Sequence, residues 1–143
     1  MNKKQKKTLY RILIALALVV VLKLLPEFPT PVELALYQAL FRRLEVLFPA
    51  GSVRVQKSQI SFYGRHLYGA ASLPVRRRKD WPEHCLVVTL GLGRRLDTPR
   101  VAVAVEPYPG RWTHHLLLTE ESQIDEELLG WFREAWDFAE SKR

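Results

Sequence analysis

The sequence predicts an α+β fold, a two-layer sandwich in which an antiparallel sheet of five to six short strands carries two helices on one face. Three observations lead there. Apolar residues recur at helical spacing at both ends of the main body, around 32–48 and around 122–139. Between them lie short alternating or wholly apolar runs, broken by Gly and Pro. The links between most of those runs are hairpin-length, whereas parallel pairs need crossovers of roughly a dozen residues or more. Two helices covering one sheet face then close a single core.

The first body helix has a start signal: Thr30 as N-cap, Pro31 at the first helical position and Glu33 reaching back in a capping box. Leu36, Leu40, Leu44 and Leu47 form its apolar stripe, with Arg42, Arg43 and Glu45 outward, and Pro49-Ala50-Gly51 stops it. Strands are expected at Val53–Val55, at Ile60–Tyr63 and, after Gly64-Arg65, at His66–Leu73. Residues 74–83 read as an exposed loop. Cys85–Leu90, ended by Gly91 and Gly93, is an apolar strand, and Val101–Val105 is the next. Pro107-Tyr108-Pro109-Gly110 reads as a turn into Trp112–Thr119. Ser122 is the expected cap of the last helix, whose buried side carries Ile124, Leu128, Phe132 and Trp136.

Ahead of this body (32–143) lie a basic head with an apolar segment (1–26) and a linker (27–31). Lys3, Lys4, Lys6, Lys7 and Arg11 precede eleven apolar residues, Ile12–Leu22. That run alone rises only ~16 Å as a helix, against a hydrocarbon core of ~30 Å. Leu9 to Leu25, with Arg11 and Lys23 snorkelling, reaches about 25 Å. The expectation is a single-pass anchor contacting membrane lipid, with the N-terminus cytoplasmic by the positive-inside rule. The rival readings are a cleaved signal peptide, which the following Leu-Pro-Glu-Phe-Pro does not favour, and a helix that never meets a membrane.

Net charge is +7, of which residues 1–51 carry +5. Within the rest, residues 52–100 are +7 and residues 101–143 are −5. These regions can pair internally or present opposed faces to partners. The high pI thus mostly reports the head. Cys85 is the sole cysteine, which excludes an intrachain disulfide and a cysteine-rich zinc site. In His-Cys-Leu-Val-Val it reads as a buried small hydrophobe.

Several segments resemble a known family. They are Lys57-Ser58-Gln59-Ile60-Ser61-Phe62, the run Arg94-Arg95-Leu96-Asp97-Thr98-Pro99-Arg100, Trp112-Thr113-His114-His115 and the acidic start of the last helix. With the opening amphipathic helix, residues 36–139 look like the bacterial domain-of-unknown-function family 5655. The resemblance implies a domain found alone or as the tail of larger proteins, some loosely labelled as transport proteins. It supplies no catalytic residues. Members usually look cytosolic and unanchored, so the resemblance runs against either the anchor or the export orientation. The first 26 residues are similar to the leader of heavy-metal-translocating P-type ATPases, but no pump motif follows.

Two sets of residues are candidates for function. Arg76, Arg77, Arg78 and Lys79 form the densest cationic run, and Arg94, Arg95 and Arg100 place guanidinium donors beside the flexible Gly91 and Gly93. They point to an anionic ligand or an acidic protein; the bland alternative pairs Arg94 or Arg100 with Asp97 or the acidic last helix. The second set, Lys57, Tyr108, Trp112, His114 and His115, marks a possible cleft. His114 and His115, as neighbours in a strand, point to opposite faces and cannot share a metal. No metal or cofactor is implied. The expected function is a non-enzymatic binding module, with a nucleic-acid-associated accessory domain and a small enzyme as alternatives.

Overall fold

The computed structural model describes residues 2–7, 11, 31–56, 58–74 and 78–142. The apolar run Ile12–Leu22, most of the linker with the Thr30 cap, and the candidate residues Lys57, Arg76 and Arg77 lie outside them.

The body is α+β. Helix α1 (Pro31–Leu47) is followed by strands β1 (Ser52–Val55), β2 (Ile60–Tyr63), β3 (Leu67–Ser72), β4 (Leu86–Leu92), β5 (Val101–Tyr108) and β6 (Arg111–Leu118). A 3-10 turn (Glu121–Gln123) leads into α2 (Glu126–Glu140). The six strands form one antiparallel sheet in the order β1-β2-β3-β4-β6-β5. The first four strands meander. Then β5 takes the outer edge and β6 returns between it and β4. Residues 93–100 therefore cross the helix-side face of β6 as a strap, from the Trp112 end to the Leu116 end.

Strand alternation sorts the side chains by face. Leu86, Val88, Leu90 and Leu92 of β4 join Leu116 and Leu118 of β6 in the core. Both helices pack against them, α1 with Leu36, Leu40 and Leu44, and α2 with Leu128, Phe132 and Ala135. The opposite face carries the cross-strand row Arg54, Ser61, Ala70, Thr89, His115 and Val103. At the β1 end of the core, Phe48, Tyr68 and Trp136 stack or meet edge-on, with centroids 4.5 to 5.2 Å apart. Tyr68 reaches this cluster because β3 holds one residue more than β2 between paired positions: Phe62 faces Gly69 while Tyr63 faces Leu67. The bulge turns Tyr68 inward. Gly69 beside it has no room for a side chain, since a Cβ would sit 2.9 Å from the Thr89 carbonyl oxygen and 3.2 Å from the Phe132 ring.

Three boundaries differ from expectation. Gly91 lies inside β4, which runs on to Leu92 because Leu92 is a fully buried core residue. Glu106 and Pro107 lie inside β5, where an edge position and an irregular register tolerate proline; the turn is Pro109-Gly110, with Gly110 at φ +73°. Ser122 sits in the 3-10 turn, and the helix cap is Asp125, whose carboxylate accepts the Leu128 N–H at 2.9 Å.

Most of the anchor expected at 1–26 lies outside the described residues. Among the described residues no helix is long and apolar enough to cross a membrane. Residues 3–7 are helical, begun by reciprocal hydrogen bonds between Asn2 and Gln5. Arg11 pairs with Glu45 of α1 at 3.0 Å, and Lys7 Nζ lies 3.5 Å from the Pro49 carbonyl oxygen. Two cations expected at a lipid rim therefore rest against the body.

Candidate functional site

The strap 93–100 positions most of the candidate cations. Leu96 anchors it: its side chain is buried in the core and its N–H donates to His114 Nε2 at 2.9 Å. His114 is 0% exposed. Because Nε2 accepts, the proton of the neutral ring sits on Nδ1. Nδ1 forms no hydrogen bond of ordinary geometry, although the Leu90 backbone beside it favours the charged form. Burial outweighs that neighbour and lowers the His114 pKa below the usual histidine value. His114 is thus a structural pin under the strap.

On either side of Leu96 the arginines turn to α2. Arg94 makes two parallel bonds to the Glu134 carboxylate, at 3.0 and 2.9 Å. Arg100 Nη1 donates to Asp125 at 3.0 and 3.1 Å and to Glu127 at 2.9 Å, and Nη2 donates to the Gln123 carbonyl at 2.7 Å. Its guanidinium also lies 5.4 Å from the Trp131 ring centroid. Burial works against the charge on Arg100, yet these carboxylates hold its pKa above the ordinary value. In Asp125, burial is likewise outweighed by the Leu128 N–H and Arg100, and the carboxyl pKa falls. The +7 and −5 halves of the body therefore meet along this seam. Arg94 and Arg100 fasten the strap to α2, each through carboxylate partners.

The remaining described candidates do not gather. Arg78 lies over Trp81 at 6.0 Å and Lys79 is exposed, both in the loop before β4. His115 points to the other face of the sheet from His114, and its Nδ1 is 2.9 Å from Thr89 Oγ1. Tyr108 stands 66% exposed at the β5 end. Trp112 sits on the helix side, opposite Leu92, under Arg95 at 5.7 Å. No cleft unites Tyr108, Trp112, His114 and His115. Among the described residues no three His, Cys, Asp or Glu side chains come together as a metal site. A cavity of about 130 Å³ opens instead between the basic head, the end of α1 and β1, lined by Lys7, Arg11, Phe41, Phe48, Val53 and Tyr68 among others.

One corner does bring cations together, and it includes two residues that sequence patterning passed over. The space beside Gly93 is bounded by Phe138 of α2, 3.0 Å from where a Cβ would stand, and by the Gly110 carbonyl oxygen at 3.8 Å. Strap, hairpin tip and the end of α2 therefore converge there. They bring Arg95, Arg111 and Lys142, the last over the Phe138 ring at 5.4 Å. Burial, and then the nearby Arg111, lower the Lys142 pKa. The three cations hold no carboxylate partner among the described residues, and two acids of α2 are engaged elsewhere, Glu134 by Arg94 and Glu140 by the Arg65 N–H at 2.8 Å. Arg111 was legible as the exit of a Pro-Gly turn, which must be exposed. Lys142 carried no sequence signal, because only the docking of α2 brings it to the tip.

No curated protein and no solved structure matches this chain. A family model does match over residues 29–139, most of the sequence and all six strands, and so the chain belongs to the family described as Domain of unknown function (DUF5655).

Proposed function

We propose that this domain is a non-enzymatic binding module for an anionic ligand or an acidic partner. The observation that carries the reading is the contrast between the two candidate sets. The histidine cleft does not assemble, since His114 is buried under Leu96 and His115 lies on the opposite face. Exposed cations without carboxylate partners remain among the described residues, Arg78, Lys79, Arg95 and Arg111 among them. Unneutralised surface charge of one sign attracts the other, and the attraction is screened by salt. The test is retention on two unrelated polyanions, heparin and polyglutamate. Retention at about 50 mM salt that is lost by about 200 mM is expected; no retention on either at low salt overturns the reading.

The membrane tether remains a proposal resting on the basic head and the apolar run Ile12–Leu22. Its test is cell fractionation of the full chain with a cytoplasm-dependent reporter fused to Arg143. Release into the soluble fraction without detergent ends the tether; retention with an active reporter places the body on the cytoplasmic side.

A further inference from the structure

We propose that the corner formed by Arg95, Arg111 and Lys142, with the rings of Tyr108, Trp112 and Phe138, binds single-stranded nucleic acid. The proposal rests on the anion-binding reading and gives it a place and a ligand class. Three separate segments deliver the cations, and two of them are held in position by a ring: Arg95 over Trp112 at 5.7 Å and Lys142 over Phe138 at 5.4 Å. Cation–ring contact orders these long side chains in advance, so less freedom is lost when they meet a phosphate. Gathering like charges is unfavourable in itself, and a polyanion relieves it.

The choice of ligand follows from Tyr108. It is the register partner of Arg111 across the hairpin tip, so the two side chains stand together on the face opposite Trp112, and a strand lying across the tip is what meets them as well as Arg95 and Lys142. Tyr108 is 66% exposed, the one ring-bearing side chain among the exposed large hydrophobics of the described residues. An exposed ring beside backbone-tracking cations is the arrangement on which unpaired bases stack. A carboxylate-rich peptide would use the cations and leave the ring idle. A duplex would offer phosphates but keep its bases inside.

The experiment measures binding of the full chain to a fluorescent oligothymidylate of about twelve nucleotides, a span within the range of small single-strand sites. Duplex of equal length and polyglutamate serve as competitors. Three phosphate contacts predict an affinity about 20-fold weaker at 200 mM than at 50 mM salt. Arg95→Glu, Arg111→Glu and Lys142→Glu together are expected to abolish binding, and Tyr108→Ala to weaken it about tenfold. Arg78→Glu with Lys79→Glu, at the other exposed cations, is expected to weaken it less than reversal of the corner does. Near-ultraviolet circular dichroism verifies that each variant is folded. If reversal at 78 and 79 removes binding while corner reversal spares it, the corner is wrong but the anion-binding reading stands. If polyglutamate competes as well as the oligonucleotide and Tyr108→Ala has no effect, the ligand class is wrong. If no polyanion binds at low salt, both readings fall together.

Discussion

The ring of His114 and the backbone of Leu96 are joined at 2.9 Å, and through that bond the middle of β6 holds down the strap that jumps over it. The strap needs a support because its backbone leaves one strand and skips the next, so no ladder pairs Leu96. An imidazole nitrogen supplies the acceptor that a neighbouring strand otherwise gives. Replacing His114 by Ala strands the Leu96 N–H and leaves a void in the core. A loss of about 2–4 kcal/mol is expected, read as a lower urea midpoint. Proteolysis within 93–100 is expected to accelerate with it. A wild-type midpoint in this variant would mean that the bond carries nothing.

Acid is expected to act through the same ring. Burial lowers the pKa of both His114 and His115, so the unfolded chain takes up their protons at a higher pH than the native one does. Stability is then fully present above the unfolded histidine value of about 6.5 and declines as pH falls below it. Protonated His114 would also set a donor against the Leu96 N–H. Melting temperature measured from pH 8 to about pH 5 checks the sign, and His114→Ala is expected to flatten the profile. A melting temperature that rises below about pH 6.5 would contradict the assignment.

The seam with α2 contains two kinds of ion pair. Arg94 and Glu134 are well exposed, at 59% and 39%, so their coupling in a double-mutant cycle is expected to be at most about 1 kcal/mol and to shrink in salt. Asp125 both caps α2 and receives Arg100. Asp125→Ala is expected to cost about 1–2 kcal/mol, and Asp125→Asn less, because the amide oxygen can still take the Leu128 N–H. Equal losses for Ala and Asn would show that the charge, not the cap, matters.

Tyr37 offers a gain. It is 3% exposed, stacks on Phe41, and its hydroxyl has no hydrogen-bond partner among the described residues. Burial, then Tyr68 and Glu45, raise its pKa beyond the ordinary tyrosine range, so the hydroxyl is neutral and pays desolvation without return. Tyr37→Phe is expected to be neutral or to stabilise by up to about 1 kcal/mol in urea denaturation. A clear destabilisation would reveal a partner for that oxygen.

Much of this architecture is readable from residue patterns, since alternation and helical spacing report burial directly. The six strands, both helices and the opposed faces of His114 and His115 follow from them. What patterns do not carry is the order of strands. Nothing local in Arg94–Arg100 says that the chain passes over β6, and without that crossing the loop reads as open to ligands. The crossing turns Arg94 and Arg100 toward α2, as the internal-pairing alternative anticipated. The family match likewise begins at residue 29, ahead of the first residue the motifs suggested. The Arg95, Arg111 and Lys142 corner was hidden for a similar reason. Its members are separated by up to 47 positions in the numbering and become neighbours only when strap, hairpin tip and α2 dock.

The surplus residue in β3 gives that strand two halves out of phase. From Gly69 onward it keeps step with β2 and β4, while Leu67 follows a rhythm displaced by one. Deleting any single position between 64 and 68 would restore a uniform rhythm and aim Tyr68 outward, emptying the aromatic nest it shares with Phe48 and Trp136. Length there is as constrained as residue identity, whereas the Pro109-Gly110 tip is bound by no such arithmetic.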